Sequence, residues 1–354
     1  MKDKLFFTVG PSPIYPQVPQ WTQEYFELGY GSISHRSEAF QSMYEKMDIQ
    51  LRKLMLVPAS HAILIASSGS EIMERILQNC VKKSSFHFVN GAFSKKFYDY
   101  SLRLGLDAQK YEIEFGLGFE TIPEISENAE LICVTHNETS TGIKTSEEYI
   151  HSIKSSYPDK ILAVDTVSSA PFVNLDFNLV DICFFSSQKA FGLPAGLGIW
   201  IIRRDLAENL VEKNISKDKA AHNTLSDYLK HYPNFQTPST PNTLGVFLMG
   251  KVAENMNIQG RESLFETLIM KRQMFRKIFE TNEYLYSNFS SVSSDTVIAA
   301  NCLQEKEKIN QLLLDHNIIC SSGYGSFKDT QIRFSNFPAN SIQDIECLGR
   351  VLGS

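Results

Sequence analysis

No stretch of this 354-residue chain is apolar for long enough to cross a bilayer. Nor is there an excess of basic residues: 34 Lys and Arg stand against 40 Asp and Glu, a net charge of −6. That balance gives no electrostatic support to a general nucleic-acid role. Cysteine is sparse and scattered. Cys80, Cys133, Cys183, Cys302, Cys320 and Cys347 form no C-x-x-C pair, and most lie in apolar runs. This argues against a disulfide framework and against a zinc site, and for free thiols in a reducing compartment. The apolar patch after Met1 is too short for a signal peptide, so the expected location is cytoplasmic. Internal repeats and low-complexity segments are missing too. What is present, 43% hydrophobic and 21% charged residues, is the make-up of a globular protein with room for one large domain or two smaller ones.

The chain is organised around residues 186–198, Ser-Ser-Gln-Lys-Ala-Phe-Gly-Leu-Pro-Ala-Gly-Leu-Gly. This segment joins two apolar runs, Asp181 to Phe185 and Gly198 to Ile202. Lys189 therefore sits at a strand end between core strands. A partly desolvated lysine loses its proton more easily and can attack a carbonyl. The plain alternative is a lysine in a solvated loop.

Short apolar runs alternate with longer segments of helical period. Strands are predicted at 62–66, 86–89, 131–134, 161–164, 182–185 and 199–202, and helices at 38–54, 70–81, 92–104 and 146–155. Continuously apolar strands separated by helices predict a mainly parallel sheet covered on both faces, with ligands at the carboxyl ends of the strands. Residues 1–16 read as an irregular arm, 17–254 as a large domain, and 255–354 as a smaller C-terminal α/β domain joined by a long helix over 244–279.

Four features are expected at strand ends in one sheet. Ser67-Ser68-Gly69-Ser70 precedes a helix, where small residues and free N–H groups wrap an anion. An ordinary N-cap at Ser68 or Ser70 is the alternative. Phe93, in Asn90-Gly-Ala-Phe-Ser-Lys-Lys96, is placed to stack on a planar ligand or to fill the core. Asp165 directly follows an apolar strand, where a carboxylate is costly unless it meets a cation or donors. It lies one strand–helix–strand unit before Lys189. A carboxylate that holds a pyridinium N–H, with a lysine that forms an imine, is the protein's side of pyridoxal phosphate chemistry. Arg333, flanked by apolar residues in Gln331-Ile-Arg-Phe-Ser335, suits bidentate capture of a substrate carboxylate or an internal ion pair.

With these residues in order, the sequence resembles the class V aminotransferases, of the fold type I pyridoxal-phosphate architecture. Phe7-Thr-Val-Gly-Pro-Ser-Pro13 is similar to that family's opening arm, which places Ser12 at the substrate. Ser67 to Ser70 resembles its phosphate loop, with Ser67 for the first Gly; Phe93 replaces its stacking Trp. Thr135-His-Asn-Glu-Thr-Ser-Thr-Gly142 resembles a stretch in which a hydroxyl, here Thr139 or Ser140, meets the cofactor's phenolic oxygen. Asp165, Gln188 and Lys189 stand at cofactor-binding positions. Thr237-Pro-Ser-Thr-Pro241 resembles the segment that reaches the neighbouring subunit's cofactor. The resemblance implies a homodimer, with Thr237 and Thr240 as cofactor-binding residues of that segment, Thr240 acting across the interface, and amino transfer in two half-reactions. Ser34-His-Arg-Ser37 resembles the loop in which phosphoserine aminotransferases present His35 and Arg36 to a substrate phosphate. Ser326-Phe327-Lys328 departs from that group's second His-Arg pair. On the compact length and the His35-Arg36 loop, phosphoserine is nevertheless set ahead of an alanine or serine–glyoxylate (or pyruvate) reaction. A cysteine desulfurase-like lyase using Cys320 stands third.

Overall fold

The structure is a computed structural model and describes residues 4–216, 220–287 and 289–353. Its centre is a seven-stranded sheet. In spatial order the strands are His61–Ala66, Gly198–Arg203, Ile182–Ser186, Ile161–Asp165, Leu131–Thr135, Ser84–Val89 and Asp107–Glu112. All neighbours run parallel except Gly198–Arg203, which is antiparallel to both of its own. The predicted strands are buried almost end to end, as an aliphatic run needs when helices cover both faces. Helices Gly69–Cys80 and Ala92–Arg103 each follow a strand of this sheet.

Two elements depart from the expected pattern. Asp107–Glu112 is a strand that no apolar run announces. It lies at the sheet edge, bonded only to Ser84–Val89, where polar side chains are tolerated. The long helix over 244–279 is two helices, Thr243–Gln259 and Arg261–Thr281. Gly260 breaks it at φ 88°, a conformation in which only glycine is free of strain.

A second sheet of four strands is ordered Leu5–Phe7, Ile318–Ser322, Gln331–Ser335 and Val297–Asn301. It has its own core, built from Phe275, Ile298, Ile332, Phe334, Ile345 and Leu348. Phe7 of the opening segment joins that core, because Leu5–Phe7 pairs in parallel with Ile318–Cys320. The segment then crosses to the large sheet, where the Ser12 and Tyr15 amides bond Gln188 O and Gly192 O. Among the described residues no helix is long and apolar enough to cross a membrane.

Candidate active site

Strand pairing brings Asp165 and Lys189 together. Ile161–Asp165 and Ile182–Ser186 are adjacent parallel strands, with Asp165 opposite Phe184. Lys189 lies in the connection from Ile182–Ser186 back to its antiparallel neighbour. Both side chains line one cavity of about 250 Å³, with Gly10, Ser68, Gly69, Ser70, Phe93, Asn137, Thr139 and Gln188. Lys189 is 8% exposed, and its Nζ donates to Val9 O at 2.6 Å. Burial, then the charge of Arg333, pulls its ammonium down to about 8. Asp165 is 3% exposed and accepts one hydrogen bond, from the Val167 amide at 2.8 Å. Burial pushes it up to about 7; Lys189 and Lys96 draw it back only in part. An acid and a base of opposite charge thus both titrate near neutrality in one pocket, a pattern typical of reaction centres.

The anion end is built as the spacing predicts. Ser68 is the N-cap, its hydroxyl accepting from Glu71 N. Gly69 donates to Ser186 Oγ at 2.9 Å, and a Cβ there would press on Val167 and Ser186. The backbone approaches its neighbours closely only because residue 69 lacks a side chain. Phe93 sits at the other wall, 5.8 Å from Lys189 Nζ and 5.5 Å from the ring of Tyr324. It is half-buried, so a ring face remains for a planar ligand.

Arg333 corrects one expectation. It stands mid-strand in the four-stranded sheet, not at a strand end of the large one. Its Nη1 donates to Thr139 O at 2.7 Å and its Nε to Ser322 O at 2.9 Å. No carboxylate pairs with it among the described residues, and Nη2 has no partner. Among the described residues the internal ion pair is thus not formed, and burial lowers the guanidinium to about 10.

Three further placements refine the sequence reading. Of the two hydroxyls left open, Thr139 lines the cavity. Ser140 instead donates to Glu138 Oε1 at 2.6 Å and accepts from Ala92 N. Ser12 donates to Lys189 O at 2.7 Å, so its hydroxyl holds the lysine loop and does not face the cavity. His35, Arg36, Thr237 and Thr240 are not brought to Lys189 within one chain. They gather on a separate face: Thr240 Oγ1 is 3.1 Å from His35 Nδ1, and Thr237 and Thr240 line a second cavity with Ser67 and Gly196. Ser68 and Ala195, the chain neighbours of those last two residues, line the first.

Sequence reading missed three contributors. Val9 and Gly10 wrap the tip of Lys189. Glu138 is fully buried and caps helix Ala92–Arg103, accepting from the Phe93 and Ser94 amides, which holds the backbone that carries Phe93. The signal that singles out Asp165, a carboxylate just past an apolar strand, was available for Glu138 too. Cys320 lies within strand Ile318–Ser322 and burial pushes its thiol up to about 12, which leaves no mobile thiolate for a desulfurase.

The residues fit pyridoxal phosphate. A buried carboxylate, a lysine of lowered proton affinity, a glycine-tight helix start and an aromatic wall converge on one cavity. The Gln188 Oε1 beside them is buried without a donor. The sequence pattern of the family Aminotransferase class-V matches residues 4–348. The chain is 26% identical over 300 residues to a phosphoserine aminotransferase of Lactococcus lactis, covering 79% of this chain and 78% of the relative. Its structure superposes on a phosphoserine aminotransferase from Cytophaga hutchinsonii with a TM-score of 0.96, 37% identity and 99% of both chains covered. It shares the fold of an alanine–glyoxylate aminotransferase from Nostoc, with a TM-score of 0.84, 19% identity, and 99% and 95% of the two chains covered. The site and the match along nearly its whole length agree: the chain belongs to the class V aminotransferases, enzymes that transfer amino groups with pyridoxal phosphate.

Proposed function

We propose that the chain is a phosphoserine:2-oxoglutarate aminotransferase of serine biosynthesis, acting in the cytoplasm as a homodimer. The observation that carries this reading is the setting of Arg36. Its Nη1 donates to His231 Nδ1 and Gln236 Oε1, each at 3.0 Å, and its Nη2 to Pro238 O at 3.3 Å. All three acceptors are neutral, and no carboxylate pairs with Arg36 among the described residues. The guanidinium is oriented, but its charge is not cancelled. Among the described residues Nε and one Nη2 hydrogen stay free, the edge that binds a phosphate bidentately. His35 lies beside it. In the reading proposed, this face meets the partner's Lys189 cavity, and Thr237 and Thr240 reach the partner's cofactor. The 37% identity with a phosphoserine aminotransferase over the full chain supports the same substrate.

Each residue has a task. Arg333 holds the substrate carboxylate through its unpartnered Nη2, which orients the Cα–H bond. Neutral Lys189 would act as base on that Cα through Nζ and then, within the same half-reaction, as acid towards the cofactor, and in the opposite order in the other half-reaction. Asp165 offers a carboxylate to a protonated ring nitrogen. Gln188 offers its free amide oxygen to the cavity. The cofactor, when bound, supplies the electron sink that makes the Cα proton removable. Phe93 and Tyr324 close one side.

The test is a comparison of amino donors. Phosphoserine is expected to convert the yellow enzyme to its amine form at far lower concentration than alanine, serine, glutamate or cysteine. Arg36→Ala is expected to raise the phosphoserine requirement about 10- to 100-fold, the value of a charge-assisted pair, and to leave alanine unchanged. An alanine or serine–glyoxylate reaction is the second reading. Ser326-Phe327-Lys328 favours it, since no second His-Arg pair stands there. Conversion by alanine or serine with none by phosphoserine would establish it.

A further inference from the structure

Lys95 and Lys96 are adjacent in sequence and differ in surroundings. Lys95 points to solvent and pairs with Asp99 at 2.8 Å. Lys96 turns the other way, across the packed helices Gly69–Cys80 and Ala92–Arg103. Its Nζ donates to Ser70 Oγ at 2.7 Å and lies 5.6 Å from the ring of Tyr100. It pairs with no carboxylate among the described residues. Its near contacts are a hydroxyl and a ring face, neither of which cancels the charge, and its field also reaches Asp165. That charge stands at the start of a helix whose own dipole already favours an anion. The amides there are partly assigned: Gly69 N serves Ser186 Oγ and Glu71 N serves Ser68 Oγ. The Ser70 amide has no partner among the described residues. The Ser70 hydroxyl accepts from Lys96, so its own hydrogen is free to donate towards the cavity that Ser70 lines.

We propose that Lys96, acting through the Ser70 hydroxyl, is a positioning residue that supplies the cation for the phosphate group of the cofactor at the start of helix Gly69–Cys80. A serine hydroxyl whose oxygen is held by an ammonium is a stronger donor, since hydrogen bonds in a chain polarise one another. The inference rests on the cofactor site and not on the choice of amino donor.

The test compares two ligands that differ only in the phosphate. Pyridoxal phosphate and pyridoxal are titrated into the cofactor-free full chain, in the wild type and in Lys96→Met, Lys96→Arg and Ser70→Ala. Lys96→Met is expected to weaken pyridoxal phosphate about 10- to 100-fold, as loss of a charge-assisted hydrogen bond does, and to change pyridoxal by less than about twofold. Lys96→Arg, which keeps the charge, restores the phosphate preference to within about threefold. Ser70→Ala, which leaves the lysine in place, also lowers that preference, and Lys96→Met adds little on top of it. A parallel fall for both ligands, or Lys96→Met binding pyridoxal phosphate as the wild type does, overturns the proposal. Should Lys96→Met fail to fold, Ser70→Ala decides alone: an unchanged preference between the two ligands in that variant refutes the route through the hydroxyl.

Discussion

Asp165→Asn is expected to give a protein that is more stable than the wild type without cofactor at neutral pH, and nearly inert with it. Asp165 has an ordinary value of 3.8, and burial raises it to about 7 in the fold. Between those two values the native state keeps a proton that the unfolded chain has released. Stability therefore falls as pH rises through this window, by on the order of 4 kcal/mol in total. Above pH 7 the whole penalty is present; below pH 4 none of it is. Asparagine has the same shape and no charge, so it removes the penalty. Lys189 works in the opposite sense: its lowered value makes the unfolded chain the better proton binder between about 8 and 10.5, and stability rises with pH there. Urea unfolding of the two cofactor-free proteins at pH 4, 6 and 8 separates these effects. The curves are expected to coincide at pH 4 and to part by pH 8, with the asparagine protein ahead. Its turnover is expected to fall by at least about 10²-fold, the scale of a lost charge at a reacting group. An Asp165→Asn protein less stable than the wild type at pH 8 would remove the basis for treating this carboxylate as strained for function.

The fold was legible where burial on two faces leaves a continuous apolar run. The six strands so predicted are strands, and Asp165 and Lys189 meet because two of those strands are neighbours. It was not legible at the edge of the sheet. In Asp107–Glu112 the backbone bonds one neighbour only, and polar side chains carry no period to read. The break at Gly260 was hidden for a related reason: the apolar residues of the two helices keep a helical spacing on either side of it, and only the positive φ shows the stop. At the site, residues carrying charge announced themselves, because a charge beside apolar sequence needs a partner. Residues acting through their backbone or through lack of a side chain did not. Val9 contributes a carbonyl and Gly10 contributes space. Nor does spacing reveal that Ser140 serves Glu138 while Thr139 faces the cavity, since adjacent residues in a turn can exchange those tasks.

Gly10→Ala is the second large effect. Gly10 has φ 153°, a conformation that residues with a side chain rarely adopt. A Cβ built there would come within 2.8 Å of Lys189 Cε and collide with Nζ. The lysine tip has little freedom to yield. It is buried, its Nζ is tied to Val9 O, and Ser12 holds its carbonyl. The methyl group therefore displaces the reacting nitrogen from the position that Asp165 and Phe93 frame. A misplacement of about 1 Å at a reacting group costs on the order of 10²-fold in rate. Single-turnover conversion with a saturating amino donor should slow by this factor, while the global fold loses only about 1–3 kcal/mol. Gly105→Ala is the control. Gly105 also has positive φ, at 73°, but nothing lies within 4 Å of a Cβ there. Its alanine variant should show a similar backbone cost, about 1–2 kcal/mol, and wild-type turnover. If Gly10→Ala also turns over normally, the lysine tip has another place to go, and the wall formed by residues 9 and 10 is not what positions it.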